Sequence, residues 1–215
     1  MELKKLWILI KIDFSWHVIS QVVMISTDTM TAYIARVAPK IKTLLTMKRK
    51  KFVHIPTIFG LNDQESQHAA KTAFEVKQRQ MKEGELAQIA IGNWHGWEDL
   101  GVGHASGLDC RKVDNSMILE LKNRHNTVKG SDIKRSLLPQ LVRYKKQYPN
   151  TMVGWGIINA NPTLGVTGKR ETIQHDSVEI EKIQGRELFK MVFTLNEIDY
   201  SQKVIDFIRD EASKY

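Results

Sequence analysis

The run Met117-Ile118-Leu119-Glu120-Leu121-Lys122 constrains this chain more than any other. Its apolar residues belong inside a fold, yet it ends by bringing an acid and a base out of that interior. Gly107-Leu108-Asp109 stands upstream, with ten residues between Asp109 and Glu120. Leu108 to Val113 and Met117 to Leu121 read as two strands joined by a tight turn at Asp114-Asn115. In that hairpin Asp109 and Glu120 project toward a common point. Residues 120 and 122 share one strand face because side chains alternate with period two. Buried charges are costly unless paired or metal-bound. The grouping is therefore either an exposed cross-strand salt bridge or a site of chemistry.

The flanking pattern sets the fold class. Residues 28–50 read as a helix, with Ser26, Thr27 and Asp28 for capping and Tyr33, Ile34, Val37, Ile41, Leu44 and Leu45 at helical spacing. Pro56 and Gly60 mark a loop. A second helix spans about Asn62 to Met81, and after Gly84 a shorter piece covers Leu86 to Ile91. Residues 101–107 carry three glycines and read as a loop. Beyond the hairpin come a helix over Ile133–Tyr148, an apolar strand over Thr151–Ala160 and strands over Glu171–His175 and Val178–Ile183. Helices follow around Arg186–Phe193 and Ile198–Ser213. Helices, then β-β-α-β, then mixed elements predict an α/β (α+β) domain with a central mixed sheet flanked by helices. The expected organisation is one domain over 1–215, with a helical N-terminal extension over 1–60 and a core over 65–195.

Charge points to the partner. The whole chain is +8, but residues 122–170 hold ten Lys/Arg against one acidic residue. A polyanion is drawn to such a segment by Coulomb attraction and counterion release. The single cysteine, Cys110, excludes an internal disulfide and a Cys-rich metal site. The apolar stretch Leu6–Ser26 is broken by Lys11, Asp13 and His17 and makes a poor membrane span. A soluble, intracellular, cytoplasmic protein is expected.

Two carboxylates and an ammonium suit phosphodiester hydrolysis. Carboxylate oxygens hold a hard divalent cation and leave positions for water and a phosphate oxygen. Such an ion polarises the phosphate and acidifies its water. Lys122 is placed to orient or deprotonate that water and to neutralise developing charge.

Gly-Leu-Asp, a β-hairpin, Glu-Leu-Lys, a basic helix and an apolar strand together resemble the core of the PD-(D/E)XK nuclease superfamily. The string Glu120-Leu121-Lys122-Asn123-Arg124-His125-Asn126-Thr127 resembles the E-L-K-N-K-H-N-T block of type II restriction endonucleases that cut GGNCC-like sites. Ala90-Ile91-Gly92-Asn93-Trp94-His95 is similar to the segment that precedes the catalytic hairpin in that family. The resemblance covers about residues 70–160. It departs at Leu108, where the superfamily name expects proline.

The resemblance implies a restriction-endonuclease-like core and a magnesium-dependent homodimer that cleaves double-stranded DNA at a specific site, beside a cognate DNA methyltransferase. It makes Asp109 and Glu120 metal ligands, with the carbonyl of Leu121 a third, and Lys122 the catalytic lysine. It adds a helix-borne acid, for which Glu75 comes first and Glu98 and Glu85 are rivals. A RecB-like exonuclease, a junction resolvase or a non-catalytic DNA-binding protein would share the same core.

Asn123, Arg124, His125 and Asn126 follow the lysine and suit phosphate or base edges, Arg pairing with guanine and Asn with adenine. Lys129 continues that basic stretch. Gln140 and Tyr144, one helical turn apart, match the Q-x-x-x-Y pattern of RecB-like nucleases, and Lys145 and Lys146 lie beside them. His95 and His104 match no zinc spacing and read as loop or capping residues. Trp94, Trp97 and Trp155 are expected in the core. Gly165–Arg170 lacks the spacing of a nucleotide-binding loop and reads as a basic loop able to touch DNA.

Overall fold

Tyr33, Val37, Ile41 and Leu44 recur every three or four residues. In the computed structural model they form the buried stripe of a helix, α1, over 29–46. The structure describes residues 29–48, 51–53, 64–101, 103–124, 132–160 and 167–215. Tyr33 packs edge-on against Trp94, with ring centroids 5.1 Å apart, and its hydroxyl donates to the Ala90 carbonyl. So α1 is part of the main core.

The second helix, α2, runs unbroken from Gln64 to Gly92. The sequence predicts two pieces around Gly84, and the structure corrects this. A glycine inside a helix costs only about 1 kcal/mol against alanine, and the packing of the C-terminal end of α2, where Ala87, Ala90 and Ile91 are buried, overrides it. At the helix end Gly92 is indispensable, because a Cβ there would lie 2.5 Å from the Asp99 Cβ and 2.7 Å from its Cα.

Three strands follow as an antiparallel meander: β1 (Trp97–Asp99), β2 (Cys110–Lys112) and β3 (Met117–Arg124). The β2–β3 turn falls at Asp114-Asn115 as expected, with Asn115 at φ 58° and the Asp114 carboxylate accepting from the Ser116 N–H. Strand β1 is unforeseen, because three residues are too few to display a period. A π-helical turn (Ile133–Leu137) and α3 (Leu138–Gln147) lead to β4 (Met152–Asn159), which lies parallel to β3. Beyond it, β5 (Lys169–His175) and β6 (Val178–Gln184) form a hairpin whose β6 pairs parallel with β4. Lys169 and Arg170, read from sequence as loop, begin β5.

The sheet order is β1-β2-β3-β4-β6-β5, mixed and flanked by helices as the sequence predicts. Helix α4 (Arg186–Phe193) ends in a small hairpin of β7 (Thr194–Leu195) and β8 (Ile198–Asp199), and α5 (Ser201–Ala212) follows. The sequence extends that last helix back to Ile198. Left-handed Asn196 and Glu197 instead turn the chain into the hairpin.

Two apolar clusters lie on opposite faces of the sheet. Leu119, Leu121 and Ile183 face α1, α2, α4 and α5, while Ile118, Val153, Trp155 and Ile180 face α3. Gly154 and Gly156 on β4 leave room for Leu119 and Leu121. Glu120 and Lys122 therefore stand on the α3 face, just beyond Ile118. Among the described residues no helix is long and apolar enough to cross a membrane.

The two α2 glycines differ in surroundings. Gly92→Ala should lower the unfolding free energy by about 1–3 kcal/mol through overpacking against Asp99. Gly84→Ala should be neutral or raise it by up to about 1 kcal/mol, since its nearest neighbour, Asn123 Cβ, is 3.7 Å away. Denaturant titration of the two variants checks the contrast.

Candidate active site

Asp109 lies one residue before β2. Its N–H donates to the Leu119 carbonyl at 3.0 Å, the last backbone bond of the β2–β3 ladder. The next rung is made by its side chain, whose Oδ2 accepts the Leu121 N–H at 2.7 Å. A carboxylate is thereby held beside β3 at the level of Glu120. On the strand itself, Lys122 Nζ is bonded to Glu120 Oε1. Glu120 is only 8% exposed, and its Oε2 is buried with no hydrogen-bond partner among the described residues.

The electrostatics follow from this crowding. Burial raises the proton affinity of Asp109, against the opposing Leu121 N–H and Lys122 ammonium. Burial, and then the neighbouring Asp109 charge, push the Glu120 carboxyl up to about 7. Burial thus disfavours the charge on both acids, Asp109 adds to the burden on Glu120, and a nearby positive charge relieves both. No third His, Cys, Asp or Glu joins them among the described residues.

The loop before Asp109 is pinned from α3. Gln140 Nε2 donates to the carbonyls of Ser106 and Gly107, at 3.0 and 2.6 Å. Gly107 has φ +66°, and a Cβ there would collide with that same Gln140 nitrogen. Leu108, standing where proline is expected, is 2% exposed in the cluster under α3. His104 Nδ1 bonds Ser106 Oγ and accepts the Ser106 N–H, the local capping role expected of it. Gln140, read from sequence as a DNA contact, has its amide N–H groups committed to this loop.

Asn123 also departs from expectation. Period-two alternation turns it to the α2 face, where its Nδ2 donates to the Gln80 carbonyl at 2.7 Å and to Glu83 Oε2 at 3.2 Å. Its Oδ1 accepts from Asn159 Nδ2 at 2.6 Å. A side chain so tied fastens α2 to the ends of β3 and β4. Arg124 is exposed and 3.7 Å from Glu83. His125, Asn126 and Lys129 lie outside the described residues.

Glu75 is exposed on α2, and no bond joins it to Asp109, Glu120 or Lys122 among the described residues. Glu98, a rival, is paired with Arg111 at 2.5 Å. Glu85, the other rival, is exposed. The helix-borne acid nearest the strand end is Glu83, which sequence reasoning passes over. Trp94, Trp97 and Trp155 are all buried, as expected. Where α2 overhangs the end of β3 a cleft of about 680 Å³ opens, lined in part by Lys77, Gln80, Lys122 and Arg124 and by no carboxylate among the described residues.

A mixed sheet with paired acids and a lysine on a central strand, where its antiparallel pairing ends beside a partly cationic cleft, is the architecture of a restriction-endonuclease-like enzyme. The family comparison agrees: the model described as Eco47II restriction endonuclease matches residues 22–200. The chain belongs to the Eco47II restriction endonuclease family, and so to the DNA-cleaving restriction enzymes. No curated protein and no solved structure matches it.

Gln140→Ala leaves two loop carbonyls without their donor. It should cost about 1–2 kcal/mol of stability and lower kcat for DNA cleavage more than it raises KM. Denaturant melts and initial rates on plasmid measure the two effects, and an unchanged kcat would show that the loop does not need its clamp.

Proposed function

We propose that this chain is a magnesium-dependent type II restriction endonuclease of the PD-(D/E)XK kind, acting as a homodimer on a specific site in double-stranded DNA. One observation carries the reading. Asp109, Glu120 and Lys122 come together on β3 where its pairing with β2 ends, in a chain of a restriction endonuclease family. The string Glu120–Thr127 supports a GGNCC-like recognition site, and a self-protecting methyltransferase belongs to such a system.

The donor set fits a hard divalent cation. Two buried carboxylates whose proton affinities burial raises, one with an unpartnered oxygen, are what such an ion stabilises. The Leu121 carbonyl fits as a third donor. Its N–H points at Asp109, and in a strand the N–H and C=O of one residue face the same side. When bound, the ion supplies Lewis-acid polarisation of the scissile phosphate and an acidified water.

The chain's own residues do the rest. The Leu121 N–H holds the Asp109 carboxylate in register with Glu120. Lys122, one step along the same strand face, donates to phosphate oxygens and offsets the charge that builds up in the transition state. Lys77 and Arg124 in the cleft suit backbone phosphates. His125, Asn126 and Lys129 continue the same segment as candidate DNA contacts.

With unmethylated plasmid and magnesium, the wild type should give discrete fragments. Asp109→Ala and Lys122→Ala should each cut about 10²- to 10⁴-fold more slowly. Full-rate cleavage by either variant would sink the site assignment. End-dependent degradation, or cutting confined to four-way junctions, would replace restriction by an exonuclease or a resolvase.

Metal removal gives an independent check. A chelator should stop cleavage, and calcium at one hundred times its Kd should add about 2.7 kcal/mol of stability without DNA present. Asp109→Ala should lose that gain, as read by thermal melts. An equal gain in the variant would place the ion elsewhere.

A further inference from the structure

Among the described residues two buried side-chain polar atoms have no hydrogen-bond partner: Glu120 Oε2, an acceptor, and Trp155 Nε1, a donor. They are not scattered. Glu120 and Trp155 are Cα partners in the parallel β3–β4 register, and register partners project from the same face of a sheet. The residues are 8% and 6% exposed, so neither atom recovers its lost hydration from bulk water. The residues that carry this buried donor and this buried acceptor thus stand side by side on one face, without a direct hydrogen bond between them.

We propose that Trp155 is a positioning residue for Glu120, its indole N–H holding Oε2 through one shared water. A water spans such a gap at little cost when it has polar groups on both sides. The other contacts of each residue favour this role. Glu120 Oε1 is already taken by Lys122, so a hold on Oε2 fixes the whole carboxylate plane. The Trp155 ring cannot easily swing away. Lys182, its register partner on β6, lies over the ring at 5.3 Å from the centroid and is paired with Glu171 at 2.9 Å. Below, Trp155 shares the apolar cluster of Val153 and Ile180.

A row of side chains, Glu120, Trp155, Lys182 and Glu171, therefore runs across four strands. In it the indole acts as the partner that aims a ligating carboxylate. The functional consequence rests on the nuclease reading above. The hydrogen-bonded link itself does not.

Two measurements on the full chain test it. In a ¹⁵N-labelled sample the Trp155 indole signal is identified by its loss in Trp155→Phe, which keeps an aromatic ring and deletes the N–H. That signal should move upfield and exchange faster in Glu120→Ala. Calcium titrated calorimetrically into Trp155→Phe should bind at least about tenfold more weakly than to wild type, with kcat for cleavage lowered and KM for DNA kept.

An indole signal unchanged by Glu120→Ala overturns the proposal, as does wild-type calcium affinity in a folded Trp155→Phe. If Trp155→Phe does not fold, the signal is assigned by elimination from Phe variants of the other four tryptophans, and Glu120→Ala decides. A wild type that neither binds calcium nor cuts DNA, with the indole still responding to Glu120→Ala, refutes the nuclease reading and leaves the link standing.

Discussion

The hydrogen bond from the Leu121 N–H to the Asp109 carboxylate is the interaction on which the site depends. A backbone carbonyl would ordinarily make that rung of the ladder. Because a side chain makes it instead, the main chain is free to leave the sheet at Gly107 while a charge remains behind in the plane of the strands. The departing loop is then caught by Gln140 from α3. One substitution of side chain for backbone thus ends a strand, starts a loop and stations an acid beside Glu120.

Strand β3 makes this possible because its two faces have different work. Leu119 and Leu121 sink into the large core that α1, α2, α4 and α5 build. On the other face Ile118 is buried under α3, with buried Glu120 and half-buried Lys122 following it along the strand. Asn123 closes the first face with a polar fastening to α2 and β4. The strand that carries the candidate site residues is therefore held from both sides within two residues of them. Rigid support of that kind keeps charged groups aligned despite their mutual cost.

That cost is visible. The carboxyls of Asp109 and Glu120 are both driven toward protonation by burial, and Glu120 further by its neighbour. A fold selected for stability alone would separate them or turn them to solvent. Their retention where the β2–β3 pairing ends, near a cleft that Lys77, Lys122 and Arg124 help to line, fits a site that gains its missing charge from a ligand.

Much of this was legible in the chain itself. The alternation of Met117–Lys122 placed Glu120 and Lys122 on one face, the Asp114-Asn115 turn set the hairpin, and helical spacing revealed α1, α3 and α4. These are local periodicities, which backbone geometry dictates wherever the strand or helix lies. What only the tertiary structure decided is which face met which partner. Gly84 reads locally as a break, but the buried C-terminal turns of α2 carry the helix through it. Asn123 and Gln140 read as free polar groups, but each meets a carbonyl that lies more than thirty residues away. The pairing of Glu120 with Trp155 depends on a crossover through α3. Contacts of that length are set by how the elements stack, which no local period records.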